Sequence, residues 1–248
     1  MSVAVLLCEL LAVGALYAGG VRRVRRWPAW RAACFGAGLL ALAVALVGMD
    51  AIADASLTGH MAQHLVLVFV AAPLLVLGSP MALALRATGR AARHVTGARA
   101  LAHPLLGWAT LPLVMAASHF TGVYEAAIEH PAIHDLEHIA WLAAAIHFWR
   151  PVLGADPVPR RPGFAGRMLY LLLASGPMAI VGVAMGSSAH PWYRAYAGPH
   201  ALADQHEAGA LMWVGGGVAL ALVTIGVGWA ALLREHNRRL AYEERTTT

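Results

Sequence analysis

At 248 residues, 59% of them hydrophobic and only 12% charged, with a mean hydropathy of +0.62, the chain is too apolar for a water-soluble domain, where those fractions run at about 45–50% and 25%. It reads as one integral membrane domain over residues 1–248, an all-α polytopic bundle. The formal charge of +5 does not argue for nucleic acid as a partner, because the charges lie in short clusters between apolar runs, and Cys8 and Cys34 sit inside such runs without the CxxC spacing of a thiolate metal motif.

Seven apolar spans follow in chain order, each long enough for about 20 residues across a bilayer. The first covers residues 2–20, with Glu9 as its one charge, and four arginines follow it, the reverse of a secretory signal peptide. Residues 32–49 form the second, which leads to an acidic connection with Asp50 and Asp54. The third, 59–85, carries Pro73 in its middle, where a freed backbone carbonyl must be satisfied by neighbouring helices. An Arg-bearing loop (Arg86, Arg90, Arg93, Arg99) leads to the fourth, 102–121, with His119 near its end and Met115 one turn away. Pro131 suits the first turn of the fifth helix, whose span is 134–152. A proline-rich segment with Arg160 and Arg161 then leads to the sixth, 168–187. The aromatic stretch His190-Pro191-Trp192-Tyr193 suits the headgroup region, and the seventh span is 204–233.

Every basic residue is arginine, and all but Arg194 fall in the segments on one side of this layout. Arginine bias near helix ends sets orientation, so the N-terminus is placed outside and the C-terminus in the cytoplasm, as a multi-pass protein of a bacterial cell (inner) membrane. His60, His64, His119, His130, His134, His138, His190, His200 and His206 then share the outer edge, whereas His94, His103, His147 and His236 lie at or near the inner one. Ionisable groups within spans are costly and normally face the bundle interior as functional groups.

The pair His60 and His64 lies at i and i+4, one above the other on one helix face. With His119, His134 and His138, and with Asp204 entering from the seventh helix, they form a candidate metal site. Met115, Glu137 and His206 are weaker members. Imidazole suits copper, zinc, iron and nickel, a thioether biases a site toward Cu(I), and Glu137 is placed either to ligate or to orient an imidazole. Two other readings stand beside it. His134-x-x-Glu137-His138 matches the HxxEH pattern of zinc peptidases, in which the Glu is general base. Paired histidines on facing helices also suit axial ligation of haem.

His60-Met61-Ala62-Gln63-His64 followed by Ala71-Ala72-Pro73-Leu74-Leu75-Val76-Leu77-Gly78-Ser79-Pro80 resembles the signature of the CtaG-type cytochrome oxidase assembly factors, a family of bacterial multi-span membrane proteins. The similarity continues through His103-Pro104-Leu105-Leu106-Gly107-Trp108, His119 with Tyr124, His134-Asp135-Leu136-Glu137-His138, and Asp204-Gln205 with Gly209 and Met212-Trp213. It covers about residues 60–215. The resemblance implies a non-enzymatic factor that helps copper reach the buried copper centre of a haem-copper oxidase. It implies copper as cargo, with zinc as the other candidate metal, a haem-copper oxidase subunit or copper chaperone as partner within the lipid bilayer, and His60, His64, His119, His134 and His138 as site residues. Small-residue clusters such as Gly215-Gly216-Gly217 permit close helix approach for docking.

Overall fold

The apolar runs fold as helices, with no strand among the described residues, in a computed structural model that describes residues 3–89, 103–154, 156 and 161–247. Arg90, Arg93, Arg99, Arg160 and His94 lie outside these residues. Helix α1 (Val3–Arg23) packs on α2 (Ala29–Ala43), which runs on through a π-helical turn, Val44–Gly48, into the short α3 (Asp50–Ala55). Next come α4 (Leu57–Val66), a second π turn at Leu67–Ala71, α5 (Ala72–Leu77) and α6 (Pro80–Ala87). Helices α7 (Pro104–Phe120) and α9 (Pro131–Leu153) pack side by side, joined by the short α8 (Val123–Glu129). Helix α10 (Phe164–Ser187) packs against α11 (Ala201–Ala210), a third π turn at Leu211–Gly215 and α12 (Gly216–Thr247).

Among the described residues, five helical stretches are long and apolar enough to cross a membrane: Val3–Arg23, Ala29–Gly48, Leu57–Ala87, Phe164–Ser187 and Ala201–Arg239. Helices α7 and α9, read from the sequence as two further spans, are 17 and 23 residues long, and α9 is diluted by its histidines and acidic residues. Leucines such as Leu16, Leu40, Leu113, Leu172 and Leu222 are exposed on the outer faces, which fits a bundle whose solvent is lipid.

Proline placement explains the local geometry. Pro73 has no N–H for the carbonyls of Val68 or Phe69. The helix widens into its π turn just before it, and the indole Nε1 of Trp149 on α9 donates to the Val68 carbonyl at 2.6 Å. The expected third span is interrupted at Gly78-Ser79-Pro80. Ser79 adopts a left-handed conformation, φ 52°, and Pro80 starts α6 afresh, because the residue before a proline is disfavoured in the right-handed helical region.

Two apolar cores result. One holds α1 and α2 against α4 to α6, around Tyr17, whose hydroxyl donates to the Gly78 carbonyl at 2.6 Å and whose ring stacks on Phe35 at 3.8 Å. The larger core, rich in aromatics and methionine, lies among α4, α7, α9, α10, α11 and α12. Helices α4 and α9 both start at the same end of the bundle, with His60, His64, His134 and His138 there and His147, Arg86 and Arg150 toward the other end.

Candidate metal centre

The site begins with the way α4 is held. Its first three N–H groups have no partner within the helix, and each finds a side chain: Leu57 and Thr58 donate to the two oxygens of Asp204 at 2.7 and 3.1 Å, and Gly59 donates to Ser56 Oγ at 3.0 Å. A carboxylate there also complements the helix dipole. Asp204, expected among the ligands, therefore has both oxygens engaged in pinning α11 to the start of α4. The turn that follows carries His60, Gln63 and His64, all buried.

From α9 come His134, Glu137 and His138. Ligand atoms of His60, His134 and His138 lie within 4.8 Å of one another, as do those of His60, His64 and Glu137. His60 belongs to both sets: its Nε2 is 3.1 Å from His64 Nε2 and 4.0 Å from Glu137 Oε2. The His134 and His138 rings are 4.3 Å apart and His60 and His134 5.5 Å. Five sequence candidates are thus brought together. Neither oxygen of the buried Glu137, nor Nδ1 of His64, finds a hydrogen-bond partner, and buried polar atoms left so are costly.

The remaining candidates sit elsewhere. His119 is one aromatic layer away, its ring against Tyr124 at 5.9 Å, with Tyr124 in turn 4.9 Å from His60. Its Nδ1 is 2.8 Å from the Tyr193 hydroxyl. Met115 is buried beside His64 in the apolar interior. His206 is spent on the Ser188 carbonyl, 2.9 Å from Nε2.

Two groups without a role in the sequence reading, Gln63 and Tyr196, orient the cluster. Gln63 donates through Nε2 to the Ala45 carbonyl at 2.9 Å, which fixes its amide so that Oε1 accepts from His138 Nε2 at 3.2 Å. His138 is thereby held with its proton on Nε2 and its Nδ1 lone pair free. Tyr196 donates its single hydroxyl proton to the Ala53 carbonyl at 2.8 Å, so its 3.3 Å contact with His60 Nδ1 requires the imidazole to donate. That leaves a lone pair on His60 Nε2, facing His64. Burial, foremost, pushes the Tyr196 phenol up to about 12, and it stays a neutral hydroxyl. Hydrogen bonds that set the tautomer in this way accompany nearly all metal-ligating histidines.

Gln63 stood within the quoted motif, three residues after His60 and so on its face. Tyr193 ends the aromatic stretch expected at the headgroups, yet it is buried, and Tyr196 follows three residues later. Gln205 folds that loop inward, accepting from the Trp192 N–H at 2.6 Å and donating to the Met185 and His190 carbonyls. Replacing Gln63 with leucine removes both orienting bonds at similar volume; the expected result is a 10- to 100-fold weaker metal affinity in a chelator competition titration, with helical content unchanged.

A cavity of about 560 Å³ reaches the cluster between α1, α3 and α9, bordered by Glu9, Asp50, Asp54 and Asp135 as well as His60, His134 and His138. Clefts lined by one sign of charge concentrate counter-ions, so this one draws cations toward the imidazoles.

Fold and site together define an all-helical membrane protein with a buried imidazole–carboxylate cluster at one end of its bundle. The chain belongs to the cytochrome c oxidase caa3 assembly factor family (Caa3_CtaG), whose model matches residues 15–233. It is similar to an uncharacterized protein of Mycobacterium leprae (27% identical over 94% of this chain and 39% of the relative). It is similar also to uncharacterized proteins of Mycobacterium bovis and Mycobacterium tuberculosis (each 28% identical, over 95% and 39%). The chain spans about two fifths of the length of these relatives. No solved structure matches it.

Proposed function

We propose that this assembly factor binds copper at His60, His64, His134, His138 and Glu137 and supplies it, as cargo, to the copper centre of a haem-copper oxidase. The observation that carries the reading is the meeting of four imidazoles and the buried Glu137 carboxylate at one end of the bundle, with His60 and His138 oriented from behind by Tyr196 and Gln63. A donor set of imidazole and carboxylate suits a first-row metal. Such an ion is held at about 2.0–2.1 Å from each nitrogen, a distance that small side-chain shifts reach from the present spacing. The acidic cleft serves as the entry. With the arginine-bearing helix ends in the cytoplasm, the cluster faces the extracytoplasmic side of the cell membrane, and seven helices span the bilayer. The partner is an oxidase subunit or a copper chaperone that exchanges metal at this end.

Four imidazoles and a carboxylate gathered at one place exceed the two axial ligands that haem takes, which disfavours haem. The peptidase reading has one observation in its favour: His60 completes a three-histidine set with His134 and His138, and Glu137 is close by. Membership of an assembly-factor family weighs against it. Two measurements test the proposal together, copper bound per purified protein and the copper content of the oxidase from cells lacking the protein. Stoichiometric binding with a copper-deficient oxidase supports the role as supplier. A protein that binds no copper, beside a fully metallated oxidase, sinks it. Under the peptidase reading, Glu137→Gln abolishes peptide hydrolysis and leaves metal affinity nearly intact.

A further inference from the structure

On the far side of His64 from His60 lies a second, much smaller cavity, of about 40 Å³. It has room for an ion or a few waters, since one water needs about 10–15 Å³. Four methionines border it, Met61 from α4, Met115 from α7, Met178 from α10 and Met212 from the π turn before α12. The chain has nine methionines in all, so nearly half converge on one small void from four parts of the fold. Besides their sulfurs, the side-chain heteroatoms at the cavity are those of His64 and Trp141. The Trp141 indole N–H is already given to Ser118 Oγ at 3.2 Å. His64 Nδ1, buried, has no partner.

Methionine is often a filler of irregular space, and two observations point beyond filling. The void persists despite four flexible side chains, where packed interiors seldom retain one. Met178 also sets its Sδ and Cε in the space where a Cβ at Gly216 would stand, so Gly216 leaves room for the thioether in this position.

We propose that this cavity is a thioether site for a soft monovalent cation, Cu(I), adjoining the imidazole cluster through His64. Thioethers prefer soft Cu(I) over zinc or Cu(II), and hard cations require oxygen donors that the lining side chains lack. Charge favours the same ion. No carboxylate borders the cavity, and the cost of burying an ion in an apolar medium grows with the square of its charge, so a divalent ion pays about fourfold more than a monovalent one. His64 is common to both places, its Nε2 toward His60 and its side chain against the cavity. It is therefore the residue across which Cu(I) moves between a nitrogen-rich site near the acidic cleft and a sulfur-rich site in the bundle. No electron transfer is involved, since the ion enters and remains Cu(I).

The inference rests on copper being the cargo, and the experiment separates the two ideas. Purified full-length protein is loaded under reducing conditions with one or two equivalents of Cu(I), or with Ag(I) as a redox-inert surrogate, and X-ray absorption reads sulfur against nitrogen scattering. Wild type is expected to show metal–sulfur scattering. Met61→Leu with Met115→Leu, a swap that conserves volume, is expected to lose that signal and at least tenfold in Ag(I) affinity while keeping the nitrogen signal. Met178→Leu alone, at the half-buried edge, is a second variant in case the pair does not fold, and is expected to lower the sulfur count. His60→Ala is expected to lose nitrogen scattering and keep sulfur. A nitrogen-only spectrum in wild type, or Leu variants with unchanged Ag(I) affinity, overturns the thioether site and leaves the imidazole site standing. A protein that takes up neither ion overturns both.

Discussion

His60→Ala is expected to lower copper affinity more than 100-fold, and His119→Ala less than tenfold. The asymmetry follows from position. His60 is the one imidazole in both ligand groups, 3.1 Å from His64 and 4.0 Å from Glu137, so no other residue replaces it. Loss of an outer orienting group costs 10- to 100-fold, and loss of the ligand itself exceeds that. His119 has the same chemistry but stands behind Tyr124 and is engaged with Tyr193. Competition against a chromophoric chelator measures both affinities. Equal losses from the two variants would show that the bound metal sits between them and not at the cluster.

The second large effect concerns the frame that brings Asp204 to α4. Helices α10 and α11 touch through two glycines: a Cβ on Gly209 would stand 2.5 Å from the Gly182 carbonyl oxygen, and one on Gly182 would stand 2.6 Å from the Gly209 carbonyl oxygen. These are backbone atoms, which cannot swing aside as a side chain would. Gly209→Ala must therefore separate the helices, which disturbs the Asp204 cap on Leu57 and Thr58 and the Gln205 clasp on the aromatic loop. Overpacking of this kind costs about 3 kcal/mol. The thermal midpoint in detergent should fall by roughly 6–12 °C, with copper affinity falling as well. A midpoint within a degree of wild type would show that α10 and α11 are not held at this distance.

Much of the site was legible in the chain. The i, i+4 spacing of His60 and His64 predicts a shared helix face, and the four-residue interval between His134 and His138 predicts the same for α9; these two faces do meet. The demand that neighbours satisfy the backbone at Pro73 is answered by the Trp149 indole, a partner that no sequence pattern points to, since it lies on another helix. Gln63 was visible as a motif member but silent as to role. Its function depends on the Ala45 carbonyl at the π turn of a different helix, which orients the amide. Asp204 is the reverse case, a carboxylate whose chemistry permits ligation and whose place makes it a helix cap.

The membrane character of the chain was fixed by composition alone, because an apolar run of span length has no other stable solvent. Arginine bias gave a one-sided layout, because Lys and Arg collect in the short loops on the cytoplasmic side of a membrane. Periodicity reaches only as far as one helix, so it could assign a residue to a face and not say what that face meets. Which histidines converge, which stand one layer off, and that four methionines from four parts of the fold border a cavity beside His64 were decided by packing between helices. Those contacts depend on where the helices widen into π turns, as before Pro73, and where glycines let two backbones touch, and only the tertiary structure expresses them.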